Sequence, residues 1–241
     1  MISKNELKYI KSLKLKKYRA REKKFLVEGI KNVSELVKSD FELDNIFCTR
    51  EYTHLISQPH QIVSKDQLKS VSSLKTNESC LAVAKIKSFQ NETVNFSDHV
   101  IVLDHVGDPG NLGTIIRSLD WFGFSQIICS TDSADFYNPK TISASMGSFT
   151  RVHPIYTDLH TLLKDSQESI YGLMLKGTPL QDAGISKPSI FILGSESHGI
   201  SHSISKLVQN EITIPGKGAA ESLNVAVSTT VLLYHLRFGK R

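Results

Sequence analysis

From Val100 onward the chain alternates short apolar runs with stretches of helical period, and this rhythm constrains the fold more than any other feature. Val100 to Leu103 (VIVL) has the form of a strand buried on both faces. A helix is expected from about 111 to 122, then a strand at Gln126 to Cys129 and a helix around 139 to 147. Further strands are expected at Ile170 to Leu173, Ser189 to Leu193 and Glu211 to Ile214, before a last helix from about Leu223 to Leu236. Strands separated by crossover helices build a parallel sheet covered on both faces, the α/β arrangement.

The first half reads as a second, smaller α/β domain. Residues near 5–17 look helical, Lys24 to Glu28 (KFLVE) forms a strand, and Gly29 breaks it. The helix from Ile30 to Val37 places Ile30, Val33, Leu36 and Val37 on one face. Strands follow at Asn45 to Thr49 and around Gln61 to Ser64, then a helix from Asp66 to Leu74 and a strand from Cys80 to Ile86. The polar, aperiodic stretch Ser88 to Ser97 suits a linker. The expected domains are therefore 1–88 and 99–241, joined by a linker at 89–98, a comfortable division of 241 residues.

No apolar run approaches a membrane span, and the lysine-rich start lacks the apolar core of a signal peptide. Cys48, Cys80 and Cys129 are too scattered for a disulfide framework or a zinc site. The expectation is a cytoplasmic protein with structural thiols, no membrane association and no metal. Charge divides unevenly: residues 1–90 hold 18 Lys and Arg against 10 Asp and Glu, whereas residues 91–241 hold 11 against 14. Lys4, Lys8, Lys11 and Lys14 recur at helical spacing and form one stripe, and Lys16, Lys17, Arg19 and Arg21 follow as further candidate phosphate contacts. Such a stripe serves a solvated face or a phosphate backbone equally well.

Three segments of the second half carry more polar chemistry than their elements need. In LDHVGDPGNLGTIIRSLDWFGF (103–124) a strand gives way to a turn and a helix whose apolar face is Leu112, Ile115, Ile116, Leu119 and Phe122. Arg117 points away from that face, with Gly113 one turn before it. In FILGSESHGIS (191–201) a strand runs into Gly194, with Glu196 beyond and Gly199 allowing a sharp return. In IPGKGAAESLNV (214–225) a glycine-containing loop leads to Ser222 and Asn224 at the start of an apolar helix. Taken singly, each fits an ordinary turn or helix cap.

Taken together, they resemble the SpoU/TrmH family of RNA ribose 2′-O-methyltransferases, the SPOUT class. The family's DPxNxG motif and following Arg match Asp108, Pro109, Asn111, Gly113 and Arg117; its GxExxG matches Gly194, Glu196 and Gly199. Its IP and SLNV elements match Ile214, Pro215, Ser222, Leu223, Asn224 and Val225. The likeness spans roughly 99–241, and the lysine-rich start with KKFLVEG is similar to the family's substrate-binding domain, related to kink-turn-binding ribosomal proteins.

The resemblance implies a parallel-sheet SPOUT domain with a C-terminal trefoil knot, preceded by a small ribosomal-protein-like RNA-binding domain. It implies S-adenosylmethionine held by three loops: Leu175, Lys176, Gly177 and Thr178; Leu193, Gly194, Glu196, Gly199 and Ile200; and Ile214, Pro215, Ser222, Leu223 and Asn224. Arg117, Asn111, Glu196, Ser222 and Asn224 are the implied catalytic set. A guanidinium is protonated under nearly all conditions and has no acceptor, so Arg117 is expected to act as a cation beside phosphate and alkoxide. The likeness implies a homodimer and RNA as partner, with large-subunit (23S) ribosomal RNA the expected substrate because the family's transfer-RNA enzymes generally lack the first domain. A transfer-RNA ribose methyltransferase, a base-methylating SPOUT enzyme and a non-catalytic RNA-binding protein are the alternatives.

Overall fold

The computed structural model describes residues 2–74, 77–89, 93–185 and 188–239; residues 90–92 of the expected linker lie outside them. The chain forms two units, Met1–Ser88 with Asp135–Thr150, and Phe89–Ala134 with Arg151–Arg241.

In the first unit the basic start is two helices where one was expected, α1 (Lys4–Ser12) and α2 (Lys16–Glu22). Ser3 opens α1 through a reciprocal capping box with Glu6. The chain then turns, which keeps both Ile10 and Leu13 buried. Arg19 fixes the turn. Its guanidinium donates to the carbonyls of Leu13 (2.9 Å) and Lys14 (2.7 Å), which the end of α1 leaves unpaired, and to the Asp135 carboxylate.

There follow β1 (Lys24–Glu28), α3 (Ile30–Val37), β2 (Leu43–Cys48), β3 (Gln61–Ile62), α4 (Lys65–Val71) and β4 (Cys80–Lys85). The sheet order is β1-β4-β2-β3, with β4 antiparallel to β1 and β2, and β3 parallel to β2. Ile10, Leu13, Leu26, Phe47, Leu68, Val71, Leu81 and Val83 share one core. The buried carboxylate of Glu28 accepts from the Ser72 hydroxyl and the Ser73 and Leu74 amides, tying the end of α4 to β1.

The second unit runs through β5 (Val100–Asp104), α5 (Pro109–Trp121) and β6 (Gln126–Ser130). The chain then supplies the first unit with residues 135–150, which carry α6 (Pro139–Ser145). It resumes with β7 (His153–Thr157), α7 (Leu159–Lys164), β8 (Ser169–Pro179), β9 (Ser189–Gly194), α8 (His202–Ser205), β10 (Asn210–Thr213) and α9 (Val225–Phe238). The six strands are all parallel, in the order β10-β8-β9-β5-β6-β7. After β10 at one edge, α9 returns to pack against α5 and β9.

Sequence periodicity misses β7, α7 and α8. Pro154 removes a donor from β7, which an edge strand tolerates, and the two helices are too short to display a period. Strand β8 runs well past its expected end. Its register with β10 jumps from the pair Glu211–Gly172 to Ile212–Thr178, so residues 173–177 are passed over by that ladder.

In the first unit the inserted segment completes an aromatic cluster. The Phe25 ring lies 4.6 Å from Tyr137 and 6.1 Å from Phe149, and Phe41 lies 5.9 Å from Phe149. Gly147 closes the segment at φ +97°, where a Cβ would meet Cγ of Glu35 at 2.5 Å. Cys48, Cys80 and Cys129 are free and buried, and burial pushes the Cys80 and Cys129 thiols up to about 12.

Candidate active site

The three motif segments meet beyond the carboxyl ends of β5 and β9, where open parallel sheets bind ligands. Asp108 caps α5, accepting from the amides of Gly110 (2.7 Å) and Asn111 (2.9 Å), and Pro109 occupies the first turn without needing a partner for a missing N–H. This presents Asn111 at the helix mouth. Asn111 Nδ2 donates to Glu196 Oε1, and Asn111 Oδ1 accepts from Asn224 Nδ2 at 3.1 Å. Asn224 caps α9 at the same time, its Oδ1 accepting from Ala226 N at 2.9 Å. One relay of side-chain amides therefore holds the start of α5, the loop after β9 and the start of α9 together.

The loop after β9 is folded back on itself. Ser195 and Gly199 exchange two backbone hydrogen bonds, of 3.1 and 2.9 Å. A Cβ on Gly194 would lie 1.9 Å from the Gly199 carbonyl carbon, so only glycine fits there. Beneath the loop, the buried Asp104 carboxylate accepts from Ser201 N at 2.7 Å and lies 2.6 Å from His105 Nδ1. His105 adopts the left-handed conformation at φ +56°. Asp104 and His105 were not among the expected site residues; the signal for them in the sequence is the LDH run, which puts two polar groups at the carboxyl end of the first buried strand.

Arg117 is exposed on α5 and has no hydrogen-bond or ion-pair partner among the described residues. It is outside the amide relay, as is Ser222, which is exposed in the loop before α9. One turn beyond Arg117 on the same face stands Trp121, 83 % exposed. Beside Arg117, α5 packs on α9, with the Ser118 and Thr230 hydroxyls 2.8 Å apart.

The expected cofactor residues fall into distinct settings. Leu175, Lys176, Gly177 and Thr178 lie within β8 and are exposed; Gly177 takes φ +151°, and a Cβ there would meet the Glu211 backbone at 2.7 Å. The Thr213 hydroxyl donates to the Leu175 carbonyl at 3.2 Å, which brings β10 to this segment. Leu193 is buried in the sheet and offers only backbone, whereas Ile200 and Ile214 are partly buried and Pro215 and Leu223 are exposed. A cavity of about 520 Å³ opens beside β8 and β10 and includes Gly177, Thr178, Asp182 and Glu211, but residues 194–199 and 214–224 do not line it. No group of three or more His, Cys, Asp or Glu among the described residues is arranged to hold a metal ion, and no described helix is long and apolar enough to cross a membrane.

In the first unit, Lys4, Lys8, Lys11, Lys16, Lys17 and Arg21 are exposed. Two of the expected RNA-binding cations are turned to other partners. Lys14 is partly buried, its ammonium donating to the Ser72 carbonyl at 2.7 Å, and burial lowers its pKa. Arg19 is 2 % exposed and already committed to two carbonyls and Asp135. Lys14 was expected on the solvated stripe of one helix over residues 5–17, and Arg19 as an RNA contact beyond it. The turn after Ser12 swings them inward instead.

Comparison with known proteins finds two family models along the chain. The SpoU rRNA Methylase family matches residues 98–234, and an MRM3-like substrate binding domain matches residues 4–82. A Bacillus subtilis 23S rRNA (guanosine(2553)-2′-O)-methyltransferase is 31% identical over 236 residues, covering 94% of each chain. A solved structure from Porphyromonas gingivalis, described as a candidate RNA methyltransferase of the TrmH family, superposes with a TM-score of 0.88 at 34% identity and covers 98% of both chains. The SpoU methyltransferase AviRb of Streptomyces viridochromogenes, solved with the cofactor AdoMet, shares the fold with a TM-score of 0.86 at 22% identity and 97% coverage of both chains.

Proposed function

The chain belongs to the SpoU rRNA methylase family, and from that premise we propose that it methylates a ribose 2′-hydroxyl of large-subunit ribosomal RNA with S-adenosylmethionine. The relay from Asn224 through Asn111 to Glu196 carries this reading, because it joins the three motif segments beyond the carboxyl ends of the central strands. The B. subtilis relative supports ribosomal over transfer RNA because it matches along both halves of the chain, the basic first unit included.

The residues of the expected cofactor segments suit the ligand. Leu175 and Leu223 leave 75 % and 47 % of their surface open on two separate segments, apolar walls for a purine. Gly194 and Gly199 leave backbone groups bare of side chains in the third. The return of α9 from the sheet edge to α5 supports the trefoil knot that the family likeness implies. When bound, S-adenosylmethionine supplies an electrophilic methyl group.

The chain's own residues orient and polarise the acceptor. Arg117, without a hydrogen-bond or ion-pair partner among the described residues, takes the phosphate of the target nucleotide and stabilises charge developing on its 2′-oxygen as the hydroxyl proton passes to that phosphate or to water. Asn111 and Asn224 hold the loops in register and present amide groups to the ribose, Glu196 fixes Asn111, and Ser222 contacts substrate or cofactor. Exposed Lys4, Lys8, Lys11, Lys16, Lys17 and Arg21 bind the RNA backbone. A homodimer forms through the exposed apolar face of Trp121, Val227, Val231, Tyr234 and Phe238, and brings Arg117 to a site shared between subunits. The assembly works in the cytoplasm, where its free thiols stay reduced.

The test is transfer of labelled methyl from S-adenosylmethionine to unmodified ribosomal and transfer RNA, with products digested to nucleosides. A 2′-O-methyl nucleoside from ribosomal RNA is expected. Arg117→Ala should cut turnover at least a hundredfold while cofactor affinity stays within a few-fold of wild type, since Arg117 lies outside the cofactor loops. Label on a base, or only on transfer RNA, would overturn the substrate assignment; loss of cofactor binding in Arg117→Ala would overturn the role of the arginine.

A further inference from the structure

The corner between α1 and α2 departs from the capping that α1 and α4 show. Ser3 and Ser64 cap α1 and α4 with hydroxyl groups, whereas α2 is opened by Leu15, which makes no side-chain cap hydrogen bond. Ser, Thr, Asp or Asn is the usual residue at such a position, and an aliphatic one satisfies none of the free amides. Leu15 is not placed there to fill a core, because it is 54 % exposed. Exposed Lys16 and Lys17 follow it directly. Next comes Tyr18, whose ring centre lies 5.0 Å from the Lys17 ammonium and 4.9 Å from the Arg21 guanidinium. Arg21 is itself steadied by Glu22 at 2.8 Å.

An exposed aliphatic side chain, an aromatic ring and three cations thus share about two helical turns. Local rules tend to be broken where a surface has work to do. This combination matches the chemistry of unpaired RNA, whose splayed bases stack on aromatic rings and guanidinium planes while cations take the flanking phosphates. A continuous duplex offers such a surface only its phosphates and groove edges, and leaves Leu15 and Tyr18 without a use.

We propose that the Leu15–Tyr18 corner holds an unpaired nucleotide of the substrate RNA, with Leu15 and Tyr18 against the base and Lys16 and Lys17 on the neighbouring phosphates. The inference rests on the RNA reading above and narrows it. The first unit selects a looped or single-stranded element, while Lys4, Lys8 and Lys11 on α1 bind either form of RNA.

The experiment measures binding of the full chain to two synthetic RNAs of equal phosphate count, a hairpin with an unpaired purine-rich loop and a fully paired duplex. Wild type should prefer the hairpin. Tyr18→Ala and Leu15→Ser should each weaken hairpin binding, Tyr18→Ala by about tenfold or more, and leave duplex binding within twofold. Tyr18→Phe should retain the preference, which separates stacking from any loss of fold. Equal loss on both RNAs, or no loss on either, would overturn the proposal. Methyl transfer to ribosomal RNA is followed in parallel: if wild type methylates but Tyr18→Ala and Leu15→Ser bind normally, this inference fails alone, whereas a wild type that binds neither RNA and methylates none sinks both.

Discussion

Arg19 stands among surface cations in the sequence, yet its guanidinium is the keystone of a turn. It satisfies two helix-end carbonyls and a carboxylate that arrives from far along the chain. Removing it leaves those acceptors and the largely buried Asp135 charge unpaired, a loss on the order of 3 kcal/mol. Arg19→Ala is therefore expected to lower the midpoint of thermal unfolding by several degrees while changing affinity for RNA no more than an uncharged surface substitution does. Lys8→Ala should do the opposite, weakening RNA binding at low salt with little change in stability. Melting curves and salt-dependent binding on the two variants separate the roles. No periodicity distinguishes the two residues, since burial of Arg19 depends on Asp135 being brought beside it.

Among the elements, α9 shows what sequence conveys and what it withholds. Its start was legible from Ser222, Leu223 and Asn224, but its apolar residues do not say which of them face the interior. Leu232 and Leu233 are buried against the unit, while Val227, Val231, Tyr234 and Phe238 recur at four-, three- and four-residue spacing on the exposed side. Phe122 continues that face onto α5 through ring contacts with Tyr234 and Phe238. If this face joins two copies, Val231→Asp should shift the protein to monomer in sedimentation or light-scattering measurements without unfolding it. The chain's single tryptophan, Trp121, should then report the change, its emission moving toward that of water-exposed indole. Most strands were legible for a different reason: β5 and β9 are buried on both faces and read as unbroken apolar runs. The bulge in β8 was not, because the register that passes over residues 173–177 belongs to the pairing with β10 and leaves no mark on either strand alone.

At the scale of the whole chain, the two units do not divide where composition changes. The first is discontinuous: Phe136, Tyr137, Ile142 and Phe149 come from the second half of the sequence and are buried in it beside Phe25 and Phe41. A chain lacking residues 1–88 strips these side chains of their neighbours and should aggregate, whereas the same truncation combined with Phe136→Ser, Tyr137→Ser and Phe149→Ser should recover solubility; the soluble yield of the two truncated chains is the measurement. The order of synthesis has a further consequence. The relay at the candidate active site spans 85 residues from Asn111 to Glu196 and 113 from Asn111 to Asn224. Loops of that length close late, after the local elements have formed. A growing chain that already holds the arginine-bearing helix and the glycine loop has all the parts of a site and none of its geometry. Until Asn224 has been made and has found Asn111, the protein is a scaffold in waiting, and activity becomes a property of finished molecules alone.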